Sequence, residues 1–341
     1  MAFEISGKRV LVTGGASFIG SHLVDTLIKR GVSFIRVVDN LSSGKLENII
    51  EHINAGRIEF HKRDLLEPGL ADEMVKGIDI VFHLAADHGG RGYVDLHQSA
   101  CSTNLILDGI MIKASYEAKV DKFIFASSGC VYPNFKQTNP KEILYLTEDM
   151  VGPPYDADNM YGWAKLMAEL SLKAYYKDFG MKSASCRFFT VYGERGIENH
   201  AVIAMIARAL IKQNPFQVWG TGEQIRNWTH VSDIVSGMIL AAEKLDDATA
   251  INLGTMERTT VIEAVKEVLR YTGHKAQIEF HPEMPTGPYN RVADNSLAKR
   301  LLGWEPKIRF MDGLHKTIDW YFTHKNKEKV AKELDVMLTE R

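Results

Sequence analysis

Short runs of β-branched and aromatic residues alternate with longer segments of helical periodicity along the first half of the chain. KRVLVTG is followed by SHLVDTLIKRG, then SFIRVVDN, DIVFHLAA, a helical stretch running to Ala118, and KFIFASS. Such a βαβ rhythm predicts an α/β, doubly wound parallel sheet covered by helices on both faces. Beyond MKSASCRFFTVYG the rhythm breaks: 193–196 reads as a loop, 200–212 (HAVIAMIARALIK) as a helix, and PFQVWGTGEQIRNWTHV as strand, turn and strand. SDIVSGMILAAEKL and AINLGT look like a return to the sheet, and residues from 257 onward carry small helices with Pro and Gly. The pattern predicts a sheet domain of residues 1–188 and 229–256 with a smaller α/β lobe made of 189–228 and 257–341. The tail HKNKEKVAKELDVMLTER reads as a charged amphipathic helix, in solvent or packed on a neighbour.

Composition narrows the function classes. A net charge of -2 over 341 residues, with 45% apolar and 25% charged residues, offers no basic field, so nucleic acid is not an expected partner. No run reaches the ~18 apolar residues that span a bilayer, and the N-terminus has no secretory pattern, so a cytoplasmic protein without membrane contact is expected. Cys101, Cys130 and Cys186 are odd in number and lack a CxxC spacing, so no disulfide framework and no metal site are expected. A functional cysteine here acts as a thiol.

The stretch TGGASFIGS (13–21) follows Val10-Leu11-Val12 and precedes a helical segment. A glycine-rich turn at that junction points backbone N–H groups and a helix dipole at an anion, as in a Rossmann-type dinucleotide site. Gly14 and Gly20 keep the tight turn, while Ser17 stands between them. Asp39, nineteen residues after Gly20 at the end of the next apolar run, can accept from both hydroxyls of a ribose and repels a 2'-phosphate, which favours NAD over NADP. Asp64, followed by Leu65, is placed to reach the adenine or to cap a helix before LLEPGL. A P-loop is excluded, because Asp39 occupies the position five residues before Gly44-Lys45 where that motif needs glycine.

Tyr161 and Lys165 lie at i and i+4 on one helix face. Four tyrosines have Lys at i+4 (Tyr132, Tyr161, Tyr271 and Tyr321), but Tyr161 is the one that opens a long helix after KFIFASS has delivered Ser128 and Cys130 to the carboxyl edge of the sheet. For a tyrosine to take an alcohol proton at neutral pH, its pKa of about 10 must fall to about 7, worth ~4 kcal/mol. Lys165 together with a positive nicotinamide can supply that field, and Ser128 can hold the substrate hydroxyl.

TGGASFIGS, Asp39, HLAA (83–86), ASSGCVY (126–132) and Tyr161-x-x-x-Lys165 together resemble an extended short-chain dehydrogenase/reductase of the NAD-dependent nucleotide-sugar epimerase/dehydratase type, over residues 7–322. The resemblance implies NAD held tightly and regenerated each turnover, contacted by Gly14, Ser17, Phe18, Ile19, Gly20, Asp39, Asn40, Ser42, Gly44, Asp64, Leu65, Leu84, Ala85, Ala86, Asn104, Tyr161 and Lys165. It also implies a nucleotide-diphosphate sugar as substrate, and a homodimer built on the helices at 99–118 and 161–178. Ser17 departs from the glycine usual in the family.

HLAADHGGRGY, SSGCVYPNFKQ and VWGTGEQIRNW further resemble the GDP-mannose 3,5-epimerase branch, where the cysteine is half of an acid/base pair whose other half is lysine. His200 stands where that lysine is expected, and a cysteine/histidine pair is instead similar to GDP-fucose synthases, which consume NADPH. A thiol and an imidazole, with ordinary pKa values near 8.5 and 6.5, suit proton exchange around neutral pH. By the same resemblance Gly89, Gly90 and Arg91 line the sugar pocket with Thr190, Asn199 and Val218, and Arg208, Gln224, Arg226 and Arg291 hold the diphosphate. Thr190 replaces the Asn common in both 3,5- and 4-epimerases. The expected activity is 3,5-epimerisation of GDP-mannose or a related GDP-hexose through a transient 4-keto sugar. A UDP-sugar 4-epimerase, in which Cys130 is a bystander, a GDP-4-keto-6-deoxyhexose epimerase/reductase, and an NAD-binding scaffold without turnover are the alternatives.

Overall fold

The computed structural model describes residues 3–139 and 141–340. Seven parallel strands form the main sheet in the order Thr249–Leu253, Ser183–Phe188, Lys122–Ser128, Ile80–His83, Arg9–Thr13, Phe34–Val38, Glu59–His61. The strand order reverses beside Arg9–Thr13, and ligand crevices open at the carboxyl edge where that happens.

Alternation along the strands feeds two apolar layers. Val10, Val12, Phe82 and Ile124 join Leu23, Leu27 and Met238 on one face. Leu11, Val81, Phe123 and Phe125 join Met111 and Leu172 on the other. Because both faces are covered, successive strand positions can be apolar, as Val10-Leu11-Val12 and Phe123-Ile124-Phe125 are. The helix Asn159–Phe179 ends at Gly180, whose φ of +69° takes the left-handed turn that closes a helix.

A further core gathers Ile203, Ile206, Phe216, Trp228, Val265, Leu314 and Tyr321. The stretch read as strand, turn and strand does not form a hairpin. Phe216–Trp219 pairs in parallel with Ile278–His281, and Trp228–His230 pairs in parallel with Thr190–Tyr192. The tail helix Lys327–Met337 is packed on its own chain: Val330, Leu334 and Leu338 lie in the same core while its charged positions face outward. No helix among the described residues is long and apolar enough to cross a membrane.

Candidate active site

Two adjoining cavities lie along the carboxyl edge of the sheet. The smaller is lined by Gly14, Ser17, Asp39, Asn40, Ser42, Asp64, Leu65, Leu84, Ala85 and Ala86. Gly14 has φ +69°, and a Cβ there would come within 3.0 Å of the Ala85 nitrogen. At Gly20 a Cβ would meet the Gly14 carbonyl oxygen at 2.2 Å, so the helix Phe18–Lys29 can start this close to the strand only with glycine there. Asp39 accepts from the backbone N–H of Ala16 at 3.0 Å and of Leu41 at 2.8 Å, which fixes its carboxylate beneath the turn. Gly44 belongs to this packing, since a Cβ would lie 2.6 Å from Asp39 Oδ1.

Three of the residues expected at the cofactor make bonds within the protein, and for Asp64 these follow the capping alternative. Ser17 donates its hydroxyl back to the Gly14 carbonyl at 2.5 Å and braces the turn from within. Asp64 caps its own turn, accepting from Leu66 N–H at 2.9 Å and from Asn40 Nδ2 at 3.1 Å. Asn104 is fully buried behind the wall, where it accepts from the Asp87 N–H at 2.7 Å and donates to the Asp87 carbonyl at 2.8 Å.

The larger cavity brings together Phe18, Ile19, Ser128, Cys130, Tyr161, Lys165, Thr190, Asn199, His200, Arg208, Val218, Gln224, Arg226 and Arg291 with Gly89, Gly90 and Arg91. Ser128 ends its strand and accepts the Cys130 N–H at 3.1 Å, holding the thiol in a tight turn. The helix bearing Tyr161 packs directly on that turn: a Cβ at Gly162 would meet the Cys130 carbonyl at 2.4 Å.

Burial pushes the Tyr161 phenol well above its ordinary range; the carboxylate of Asp108 and a Cys130 thiolate push the same way, against a hydrogen bond with Ser128. The same burial pulls the Lys165 ammonium down, while Asp108 holds it up. Lys165 Nζ lies 3.7 Å from Asp108 and 4.5 Å from the Phe125 ring centre, with no hydrogen-bond partner of its own. A buried ammonium in that condition fits a cofactor ribose hydroxyl.

Asp108 itself is missed by sequence reasoning. It belongs to a buried chain in which Thr13 Oγ1 accepts from the N–H groups of Leu84 and Ala85, each at 3.1 Å. Its hydroxyl proton is therefore left for His83 Nδ1 at 2.8 Å, and His83 Nε2 donates to Asp108 Oδ1 at 3.0 Å. Burial keeps His83 neutral, as that tautomer requires. An acid inside the apolar helix segment 104–117 was the available signal.

At the far side of Tyr161 the arginines separate. Arg291, expected at the diphosphate, lies 3.3 Å from Cys130 Sγ and 3.0 Å from Asp158 Oδ2, which Arg91 also reaches at 2.8 Å. Arg226 donates to the Ile225 and Thr286 carbonyls; burial, then Arg291 and Arg91, pull its pKa down to about 9. Arg208 is 4% exposed, its Nε has no partner, and burial draws it down to about 10. His200 precedes the helix Ala201–Leu210 without a capping bond from its side chain, and burial pulls its pKa to about 4.

The tail completes the wall: Leu338 lines the cavity, and Asn199 Nδ2 donates to the Glu340 carbonyl at 3.1 Å.

The family model described as the NAD dependent epimerase/dehydratase family matches residues 10–254. A GDP-mannose 3,5-epimerase of Oryza sativa subsp. japonica is 32% identical over 330 residues, 95% of this chain and 83% of the relative. An uncharacterized UDP-glucose epimerase of Bacillus subtilis is 33% identical over 314 residues, 90% of this chain and 95% of the relative. The Bacillus cereus UDP-glucuronic acid 4-epimerase, solved with UDP-glucuronic acid and NAD, superposes with a TM-score of 0.83 at 28% identity, over 93% of this chain and all of the other. With its turn, its Tyr161/Lys165 pair and its seven-stranded parallel sheet, the chain belongs to the NAD dependent epimerase/dehydratase family.

Proposed function

We propose that the protein is an epimerase that inverts C5, and with it C3, of GDP-mannose or a related GDP-hexose through a transient 4-keto sugar. The observation that carries this reading is the Arg291 guanidinium 3.3 Å from Cys130 Sγ, in the cavity that also holds Tyr161 and His200. That contact sets the thiol beside a cation at the edge of the sugar space, where Cys130 can exchange a proton with the sugar.

The smaller cavity fits NAD. Its glycines leave no room for Cβ atoms, and Asp39 is fixed where an adenosine ribose is recognised. Bound there, NAD supplies reversible oxidation at C4. The chain's own residues do the rest: Ser128 and Tyr161 hold the C4 oxygen and manage its proton, and Lys165 orients the cofactor ribose. Once C4 is a ketone, the hydrogens on C3 and C5 become acidic. Cys130 and His200 then exchange a proton at the flanking carbon, while Arg208 and Arg226 hold the diphosphate.

In D2O with GDP-mannose, the enzyme is expected to label the carbons flanking C4. An inverted product without label overturns this reading in favour of the 4-epimerase that other relatives suggest. Leu105, Ile106, Trp163 and Met167 are exposed on the helices Asn104–Glu117 and Asn159–Phe179 and form the contact face of a homodimer. Sedimentation at micromolar concentration tests that contact: Ile106→Glu should give monomers, and a dimer that persists in the variant overturns it.

A further inference from the structure

We propose that His88 is a catalytic residue, the proton carrier that works with His200 as the counterpart of Cys130; this rests on the 3,5-epimerase reading. His88 lines both cavities, so its imidazole sits at the junction of the cofactor space and the sugar space. Its ring centre is 6.4 Å from that of Tyr161 and 6.2 Å from that of His200. Two imidazoles at that separation are within reach of one bridging water.

The segment carrying His88 is held on both sides. Asn104 clamps both backbone groups of Asp87, the preceding residue. Gly90 is pressed against the peptide that precedes His200: a Cβ there would lie 1.6 Å from the Asn199 carbonyl oxygen. The two histidine-bearing loops are thereby locked together, and only glycine at 90 allows it. Sequence reading assigned Asn104 to the cofactor, whereas its contacts make it a positioning residue for His88.

His200 alone is a poor proton donor. With its pKa pulled to about 4 by burial, roughly one molecule in a thousand carries the proton at neutral pH. His88 gives that proton a second place to reside. In the exchange, one group takes the proton from the carbon beside the C4 ketone, and the C–H electron pair passes into an enolate. The other group delivers a proton to the opposite face of that carbon. One side chain gains a proton and the other loses one, with no oxidant beyond the NAD that made the ketone, and solvent resets the pair.

The test uses the enzyme with its bound NAD, and GDP-mannose as probe, in D2O. Wild type should label a carbon flanking C4. His88→Ala should still show the absorbance change of nicotinamide reduction on mixing with the sugar, yet label at least ~100-fold more slowly. Added imidazole should restore part of the lost rate. Labelling at the wild-type rate in His88→Ala overturns the proposal and leaves the 3,5-epimerase reading standing. Loss of the reduction signal together with the label, unrelieved by imidazole, makes His88 structural and overturns it too. No label in wild type removes both.

Discussion

The two halves of the crevice treat their polar groups in opposite ways. At the glycine turn and the adenosine end of the cofactor half the polar groups are bonded within the protein: both Asp39 oxygens accept backbone N–H groups, Ser17 bonds back to Gly14, and Asn104 is clamped to Asp87. In the sugar half, buried polar atoms stand without partners, among them Arg208 Nε, Gln224 Oε1 and Asn199 Oδ1. A partnered cradle is set before its ligand arrives, so binding there costs little reorganisation. Buried groups left unpaired destabilise the fold until an anion meets them. Cofactor retention and substrate selectivity thus draw on different physics within one cavity.

The largest expected effect falls between the halves, at Tyr161. Tyr161→Phe keeps the ring and the packing on the Cys130 turn but removes the oxygen that manages the C4 proton. Steady-state kcat should fall by about a thousandfold while the purified protein retains its NAD. Loss of NAD in that variant would show that the cofactor half is not self-sufficient, and would break the comparison.

Arg208 sharpens the other side. Its guanidinium is held below the ordinary value by burial, so the folded state releases that proton more readily than the unfolded chain. The resulting penalty is fully present below about pH 10 and disappears as pH rises through the unfolded value, so at pH 7 it is complete. It amounts to something on the order of 3 kcal/mol. Arg208→Met should raise the melting midpoint of the substrate-free protein by about 2–4 °C and weaken the GDP-sugar by roughly 10- to 100-fold. The same substitution should shrink the melting shift that GDP-mannose causes in wild type. A variant less stable than wild type before ligand is added would mean that Arg208 already has a partner.

At Asp108 the effect is smaller and shows in pH. Its carboxylate holds Lys165 protonated against burial, and also pushes Tyr161 upward. Asp108→Asn should lower kcat about tenfold and move the alkaline limb of the kcat profile to lower pH, because Lys165 then loses its proton sooner. An unmoved limb would mean that Asp108 acts on the fold alone.

How much was legible in the sequence follows the same division. The turn, Asp39, Ser128 and the Tyr161/Lys165 pair are local patterns tied to a strand end or a helix face, and they keep their meaning wherever the chain goes. Arg291 next to Cys130 joins residues far apart in sequence, and no periodicity encodes that approach. Asp108 reads as one polar residue in an apolar helix until the sheet brings His83 and Lys165 to it. The tail helix shows its amphipathic face plainly, but what the face covers depends on the core around Ile203 and Trp228. Local spacing carries the cofactor chemistry, and tertiary contact carries the rest of the sugar site.

The smallest expected effect belongs to Ser17, the residue that departs from the glycine pattern. Its hydroxyl bonds to Gly14 within the turn, and its N–H reaches the same carbonyl at 3.2 Å. Ser17→Gly therefore removes one brace from an already partnered turn, and adds backbone freedom to the unfolded chain. A lost hydrogen bond of ~1 kcal/mol and a glycine cost of ~0.5–1 kcal/mol both lower stability. The backbone N–H groups facing the cofactor are unchanged, so NAD should remain bound within a few-fold of wild type while the melting midpoint drops slightly. Emptying of the cofactor site in Ser17→Gly would show the hydroxyl to be a phosphate ligand, and the cofactor half would then share the reliance on unpaired groups that marks the sugar half.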